Sequence, residues 1–112
     1  MKIITWNCNG AFRKKFKHLL NLNADIFVIQ ECENPAETSD NEYKKWAENY
    51  LWIGDTKNKG LGIFTNKSIQ LKKLDWTSTY KDHIVKHFLP CSINGEFEFL
   101  AVWTHQNKSP NF

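Results

Sequence analysis

Two polar residues, Asn7 and Glu31, stand where two predicted strands end, and together they could hold a metal ion. Asn7 follows the apolar run 2–6, and Glu31 follows the apolar run 26–29. If these strands are parallel neighbours, both side chains emerge at one edge of the sheet, where ligands of α/β sheets usually bind. Amide and carboxylate oxygens suit Mg²⁺, or Mn²⁺ in its place, and Mg²⁺ needs few protein ligands because it keeps several waters. The alternative is that Asn7 is a turn residue and Glu31 an exposed strand end.

Two further residues could take part in chemistry at this edge. Glu33 lies two positions beyond Glu31, so on an extended chain both carboxylates point the same way; surface charge is the alternative. His105 ends the last predicted strand, and an imidazole suits proton transfer near neutral pH; an exposed loop histidine is the alternative. The other histidines fall on a polar helix face or flank a predicted strand and are weaker candidates: His18, His83 and His87.

Several other classes of enzyme have no motif in this sequence. The patterns HExxH, GxGxxG, GxSxG and the P-loop are missing. Zincins, dinucleotide-dependent enzymes, α/β-hydrolases and Walker ATPases are therefore excluded as motif-based interpretations.

Two lysine-rich segments could contact phosphate groups. The first is either the solvated face of a helix or a phosphate contact: Arg13, Lys14, Lys15 and Lys17. The second consists of Lys57 and Lys59. It precedes Gly60 and Gly62, which permit close backbone approach to a neighbouring strand or to a ligand. Because Arg13 is the only arginine, phosphate recognition by several guanidinium groups is excluded.

The elements that must position these residues follow from the apolar pattern. Apolar residues at positions 12, 16, 19 and 20 have helical spacing, so the chain is expected to begin with a strand–helix–strand unit whose buried strands are parallel. A second short helix is predicted from positions 43, 46, 47 and 50.

Beyond position 50 the pattern predicts mostly antiparallel strands. They are expected at 51–53, 62–65, 69–74, 83–93 and 96–104. Asn94-Gly95 predicts a hairpin between the last two. Alternation in the last strand predicts that its outer, amino-terminal end is exposed and that its inner, carboxyl-terminal end is covered on both faces.

Composition is that of one ordinary globular domain. The chain has 112 residues, a net charge of +3, 41% hydrophobic residues and, among them, eight Phe, five Trp and three Tyr, which argues against disorder. No apolar run is long enough to cross a bilayer, so no membrane association and a cytoplasmic location are expected. The three cysteines, Cys8, Cys32 and Cys91, form neither a zinc motif nor a disulfide framework and are expected to be reduced, mostly buried thiols.

These features together resemble the amino-terminal half of the endonuclease/exonuclease/phosphatase superfamily, the deoxyribonuclease-like fold. The matching segments occur in the family's order: Ile3-Ile4-Thr5-Trp6-Asn7-Cys8-Asn9-Gly10, Asp25-Ile26-Phe27-Val28-Ile29-Gln30-Glu31, Gly60-Leu61-Gly62-Ile63-Phe64 and Leu100-Ala101-Val102-Trp103-Thr104-His105. The W-N-x-N-G and Q-E segments are the more specific of these.

The resemblance implies an α+β fold: half of a two-sheet sandwich with helices outside, a mixed sheet that starts with a β-α-β unit, then mostly antiparallel strands. It implies a Mg²⁺-dependent phosphodiester or phosphomonoester hydrolase. Glu31 would match the metal-binding glutamate, and Asn7 the asparagine that helps to hold the metal or the phosphate. His105 would match a histidine that contacts the phosphate and protonates the leaving oxygen, and Asn107 is an alternative phosphate-facing amide.

The sequence departs from the family because its G-D-x-N and S-D-H segments are missing from these 112 residues. With only two candidate helices to cover the sheets, the chain resembles part of a domain. We therefore expect a fragment, residues 1–112 of one partial domain, that is inactive alone and is related to enzymes acting on nucleic acid. The alternative is a non-catalytic module that binds a complementing second half or another copy of itself. A small, unrelated α+β protein is the third option.

Overall fold

The computed structural model describes residues 1–75, 79–80, 83–84 and 88–103, and strands dominate these residues. The strands are β1 (Ile3–Asn7), β2 (Ile26–Cys32), β3 (Asn49–Thr56), β4 (Lys59–Thr65), β5 (Leu71–Lys73), β6 (Thr79–Tyr80), β7 (His83–Ile84), β8 (Phe88–Ile93) and β9 (Phe97–Val102). The helices are α1 (Asn41–Trp46) and two short 3₁₀ helices, Phe12–Lys14 and Phe16–Leu19. The predicted α+β class is confirmed.

The first four strands form a mixed sheet in the order β1-β2-β4-β3. β1 and β2 are parallel, from the pair Ile3 and Ile26 to the pair Asn7 and Gln30, whereas β4 is antiparallel to both β2 and β3. The second sheet, β5-β8-β9, is antiparallel, and β6 pairs with β7 separately. The predicted parallel start followed by antiparallel strands is therefore present.

The single α-helix predicted between β1 and β2 is wrong, because two 3₁₀ helices take its place. Their backbone hydrogen bonds span three residues: the Lys15 N–H donates to the Phe12 carbonyl at 2.8 Å, and the His18 N–H to the Lys15 carbonyl at 3.0 Å. Lys15 has φ −120°, which interrupts helical geometry between them. Phe12 and Phe16 are nevertheless buried as the apolar spacing required.

The second predicted helix is confirmed as α1. Asp40 caps it, because its Oδ1 accepts from the Tyr43 N–H at 2.9 Å. The helix ends at Trp46, and Tyr50 belongs to β3 instead. Tyr43 is fully buried.

Two buried clusters stabilise the fold. The aromatic cluster packs on the four-stranded sheet, and Phe12 is central to it: its ring lies 5.5 Å from those of Tyr43 and Trp46 and 5.7 Å from that of Phe64. The aliphatic cluster draws on both sheets: Ile26, Val28, Leu61 and Ile63 from the first, and Leu89, Cys91, Ile93 and Ala101 from the second. Complete burial of one such large side chain stabilises the fold by about 1.5–3 kcal/mol.

Two expectations about burial are wrong. β1 is an edge strand with alternating exposure rather than a buried one, and Ile3 is 46% exposed. The carboxyl-terminal end of β9, expected to be covered on both faces, is exposed to solvent on one of them, since Leu100 is 40% and Val102 44% exposed. An edge strand is paired on one side only, so residues that look buried in sequence retain access to solvent.

The three cysteines are buried and free, as expected. Within the described ranges, none of the helices has the length and apolar character needed to cross a bilayer.

Candidate functional site

Asn7 and Glu31 lie at the same edge of the four-stranded sheet. The last parallel pair of β1 and β2 joins Asn7 to Gln30, the residue before Glu31. Beyond it the Cys8 N–H still donates to the Gln30 carbonyl at 3.2 Å. The parallel pairing therefore brings both predicted site residues to the carboxyl ends of adjacent strands.

Glu31 occupies an unusual position in β2. The pairing between β2 and β4 shifts between Gln30 and Cys32, and Glu31, the residue within this bulge, has φ +67°. A non-glycine residue in the left-handed region loses roughly 1–2 kcal/mol relative to extended backbone. Bulges of this kind re-aim a side chain at the end of a strand and are frequent beside functional sites.

The loop that follows β1 is also left-handed. Asn9, Gly10 and Ala11 have φ values of 60°, 84° and 53°. The Asn7 Oδ1 accepts from the Asn9 N–H at 3.0 Å, which is an Asx turn. Asn7 is therefore a turn residue, as the alternative interpretation stated, and its amide oxygen retains one lone pair for another partner.

An ammonium group lies beside the Glu31 carboxylate. The Lys59 Nζ is 3.5 Å from the Glu31 Oε1; the Glu31 side chain is 17% exposed and that of Lys59 is 56% exposed. A Cβ built on Gly10 would lie 3.5 Å from the Lys59 Cε, so the lysine stem runs along the left-handed loop. Ion pairs with one exposed, flexible partner are weak, so a stronger cation can replace this lysine.

The donor set suits a hydrated magnesium ion with few protein ligands. Glu31 supplies one carboxylate, and Asn7 an amide oxygen at the same sheet edge. Over the residues that the structure describes, no cluster of three or more His, Cys, Asp or Glu side chains forms a richer site. Mg²⁺ is held by one or two carboxylates with waters completing its shell, so the two residues fit this ion.

Glu33 is not the surface charge that the sequence suggested. Its carboxylate is buried; the Oε2 accepts from the Arg13 Nη1 at 2.6 Å and the Oε1 from the Arg13 N–H at 3.2 Å. The Tyr43 hydroxyl donates to the Glu33 carbonyl at 2.7 Å. Glu33 therefore anchors the first 3₁₀ helix to the end of β2. Arg13 is held in this ion pair, rather than lying free on a solvated helix face.

Cys8, the residue after β1, contacts the end of β2 through its side chain. Its Sγ lies 3.3 Å from the Gln30 carbonyl and 3.4 Å from the Glu31 carbonyl, and the Lys15 Nζ donates to the Cys8 carbonyl at 2.7 Å. Burial, as the largest cause, raises the pKa of the Cys8 thiol, with the hydrogen bond from Gly10 opposing it. The thiol is therefore neutral near pH 7 and serves as a structural contact rather than a nucleophile.

The two glycines of β4 serve packing. A Cβ on Gly62 would lie 2.6 Å from the Phe64 ring and 2.9 Å from the Cys32 Sγ, and one on Gly60 would overlap the Trp52 ring. Close approach of neighbouring side chains therefore explains both glycines. The same strand begins with Lys59, whose contact with Glu31 the sequence did not predict; its only signal was the lysine-rich run before the glycines.

Three of the remaining candidates, His87, His105 and Asn107, fall outside the part of the chain that the structure describes. His105 and Asn107 follow residue 103, and His87 lies in the segment 85–87. His18 lies in the second 3₁₀ helix with an exposed side chain. Asn7 and Glu31 are thus the predicted residues that the described structure brings together.

Comparison of the chain with protein-family models, with curated proteins and with solved structures found no match.

Proposed function

We propose that this chain is the metal-binding part of a Mg²⁺-dependent phosphoesterase related to the endonuclease/exonuclease/phosphatase superfamily. The observation that carries the proposal is the Glu31 carboxylate, held by a left-handed bulge at the end of a central strand beside the end of β1. Energetically unfavourable backbone that persists at a strand end is a feature of functional sites. Nucleic acid phosphodiesters are the proposed substrate class.

In this proposal Glu31 holds the ion, and Asn7 contributes its amide oxygen to the ion or to the phosphate. The bound ion would neutralise charge that develops on the phosphoryl oxygens. Lys59 maintains charge balance at Glu31 when no ion is bound and can turn toward the phosphate when one is, since its side chain is more than half exposed. His105 is proposed to protonate the leaving oxygen.

In-line hydrolysis also requires a positioned nucleophile. The resemblance assigns that task to a G-D-x-N segment, which these 112 residues do not contain. We therefore propose that the chain alone binds metal but turns over little or no substrate. We also propose that the two sheets pack face to face as a sandwich, which the aliphatic cluster shared by both sheets supports.

Metal binding to the purified chain tests the proposal. Titration with Mn²⁺, followed by electron paramagnetic resonance, should report one site, and Glu31→Gln should weaken it by about tenfold or more, because it removes the single carboxylate ligand. Glu42→Gln is the matched control, because Glu42 is an exposed carboxylate that pairs with Lys17 and not with Lys59. Equal Mn²⁺ affinity in the parent chain and in Glu31→Gln would overturn the assignment.

Activity supplies a second readout. Mg²⁺-dependent cleavage of a nucleic acid by the chain alone should be near background. Robust turnover that Glu31→Ala abolishes would show that the chain is a complete enzyme and would overturn the proposal of a fragment.

One observation favours the alternative, a non-catalytic assembly module. β1 and β9 are both edge strands among the described elements, and both expose apolar side chains, Ile3 in one and Leu100 and Val102 in the other. The Gln30 Nε2 lies 3.0 Å from the Thr5 Oγ1 and 3.3 Å from the Val102 carbonyl, so the two edges are neighbours. Open edges of this kind pair with other chains. Self-association without Mn²⁺ binding would favour this function.

A further inference from the structure

A polar pocket of about 430 Å³ lies next to the bulge and is separate from the sheet edge that carries Asn7. We call it the Arg13–Lys57 pocket. Its walls come from three segments that are distant in sequence: the start of the first 3₁₀ helix, the loop before α1 and the turn between β3 and β4. Its lining residues are Ala11, Arg13, Glu33, Glu37, Thr38, Ser39, Lys57, Asn58 and Lys59.

The charge of the pocket favours an anion. Its lining carries three positive charges, on Arg13, Lys57 and Lys59, and two negative charges, on Glu33 and Glu37, so its net charge is +1; the Arg13 Nη1 lies 2.6 Å from the Glu33 carboxylate. This contact also orients the guanidinium and leaves Nε and Nη2 for another acceptor, with the side chain 39% exposed. The second carboxylate, Glu37, accepts at 3.3 Å from the Asn34 side chain.

Neutral donors complete the lining. The Thr38 Oγ1 accepts from the Asp40 N–H at 3.2 Å, so its hydroxyl proton is still able to donate to a ligand. Ser39 and Asn58 add a hydroxyl and an amide. A guanidinium fork, two ammonium groups and hydroxyl donors form the set that binds phosphate oxygens in proteins.

Lys59 connects this pocket with the candidate metal residue. Its side chain lines the pocket, and its Nζ is 3.5 Å from the Glu31 Oε1. A ligand that fills the pocket and also reaches a cation held by Glu31 would therefore carry two anionic groups, one on each side of Lys59.

We propose that the Arg13–Lys57 pocket binds a second phosphate of a polynucleotide strand whose reacting phosphate lies at Glu31. This inference rests on the proposed function and narrows its substrate class to chains with adjacent phosphodiesters, rather than isolated phosphomonoesters. The polar lining would contact phosphate oxygens, and the described residues that line the pocket include no aromatic side chain on which a base could stack, so it positions the strand without reading its sequence.

The salt dependence of oligonucleotide binding tests the proposal. Affinity of a fluorescent single-stranded oligonucleotide is measured by anisotropy at several salt concentrations without divalent ions. Lys57→Gln should weaken binding and reduce the slope of log K against log[salt] by about 0.7, because one phosphate contact of a single strand is lost. Lys57 suits this test because its side chain is exposed and its backbone carbonyl, which accepts from the Asn34 N–H, is retained.

Two further variants sharpen the result. Lys72→Gln is the matched control, since it removes an exposed lysine from β5 in the other sheet and should leave the slope unchanged. Arg13→Lys keeps the charge opposite Glu33 but removes the planar fork, so it should weaken binding with little change of slope. Competition by inorganic phosphate distinguishes a general anion site from one for a strand: phosphate should displace the oligonucleotide only at far higher concentration.

The outcomes separate this inference from the proposed function. An unchanged slope in Lys57→Gln, or the absence of oligonucleotide binding by the parent chain, overturns the pocket assignment even if Mn²⁺ binds at Glu31. Displacement by inorganic phosphate at concentrations similar to that of the oligonucleotide overturns it as well. A reduced slope without Mn²⁺ binding at Glu31 supports the pocket as a strand contact and overturns the metal-dependent hydrolase.

Discussion

Left-handed residues occur both in the β8–β9 hairpin and at the candidate site, and the candidate site holds Ala and Glu in this conformation beside Asn9 and Gly10. In the β8–β9 hairpin, Asn94 and Gly95 have φ values of 55° and 68°. At the candidate site, Ala11 and Glu31 have φ values of 53° and 67°. Gly and Asn tolerate this conformation, whereas Ala and Glu lose roughly 1–2 kcal/mol each.

The difference shows where each conformation originates. The residue types of the hairpin suit this conformation, and contacts with a distant residue add to it: the Asn94 N–H donates to the Gln70 carbonyl at 2.8 Å, and the Asn94 Oδ1 accepts from the Gln70 N–H at 2.7 Å. The site has no such compatible residue at Ala11 or Glu31, so packing of the buried Phe12 and the contacts of Cys8 must hold it. Backbone energy is therefore stored at the site and not at the hairpin.

The largest expected loss of unfolding free energy comes from removing the packing that holds the left-handed loop after β1, residues 9–11, which we call the site loop. Phe12→Ala should lower the free energy of unfolding by about 3–5 kcal/mol, because a fully buried aromatic ring is deleted. Urea denaturation measures this change. Phe97→Ala, on the hairpin, removes a ring that is 37% exposed and should have a much smaller effect.

If Phe12→Ala does not fold, Phe12→Leu provides the measurement, with an expected loss of about 1.5 kcal/mol or less. Equal losses in Phe12→Ala and Phe97→Ala would contradict the view that tertiary packing holds the site loop more firmly than the hairpin.

An intermediate effect is expected from relieving the backbone at the bulge. Glu31→Gly and Glu31→Ala both remove the contact with Lys59, so their difference in unfolding free energy isolates the left-handed conformation. The glycine variant should be more stable than the alanine variant by about 1 kcal/mol. Thr5, in the extended strand β1, is the matched control, where the alanine variant should be the more stable by about 0.5–1 kcal/mol. The same order at both positions would argue against strain at Glu31.

The smallest expected change in unfolding free energy comes from titration of the buried thiols. Cys8 and Cys32 lie beside the candidate site, and Cys91 lies in β8 of the hairpin. Burial raises the pKa of the Cys91 thiol from 9.0 to about 11, and burial likewise raises the pKa of Cys8 and Cys32. A thiol whose pKa is raised by folding stabilises the folded state below its unfolded pKa and loses that stabilisation as pH rises through its folded pKa. Unfolding free energy should therefore be unaffected by these groups below pH 9.0 and fall between pH 9.0 and about 11.

Urea midpoints across this alkaline range measure the effect. Cys91→Ala should reduce the dependence on pH, since one of the three titrating thiols is removed. An identical pH dependence in the parent chain and in Cys91→Ala would contradict the assignment to this cysteine.

Local patterns predicted much of the frame of the site. The apolar runs that end at Asn7 and Glu31 indicated two parallel strands, and the rule that parallel strands share a carboxyl edge predicted where their side chains emerge. The role of Glu33 was not predictable, because its partner Arg13 is 20 residues away and reaches it only through the geometry of the 3₁₀ connection. Burial at β1 and β9 was misjudged because a hydrophobic run does not reveal whether its strand lies at an edge.

By itself, the sequence determined most of the strand positions, the β8–β9 hairpin, the presence of helix α1 and the residue types available at the carboxyl edge, because each depends on side chains within a few positions of one another. The left-handed backbone at Glu31, its contact with Lys59 and the ion pair between Arg13 and Glu33 were decided by tertiary structure alone. Those features arise where β2, β4 and the 3₁₀ connection meet, and the energy that holds them comes from packing between segments far apart in the chain.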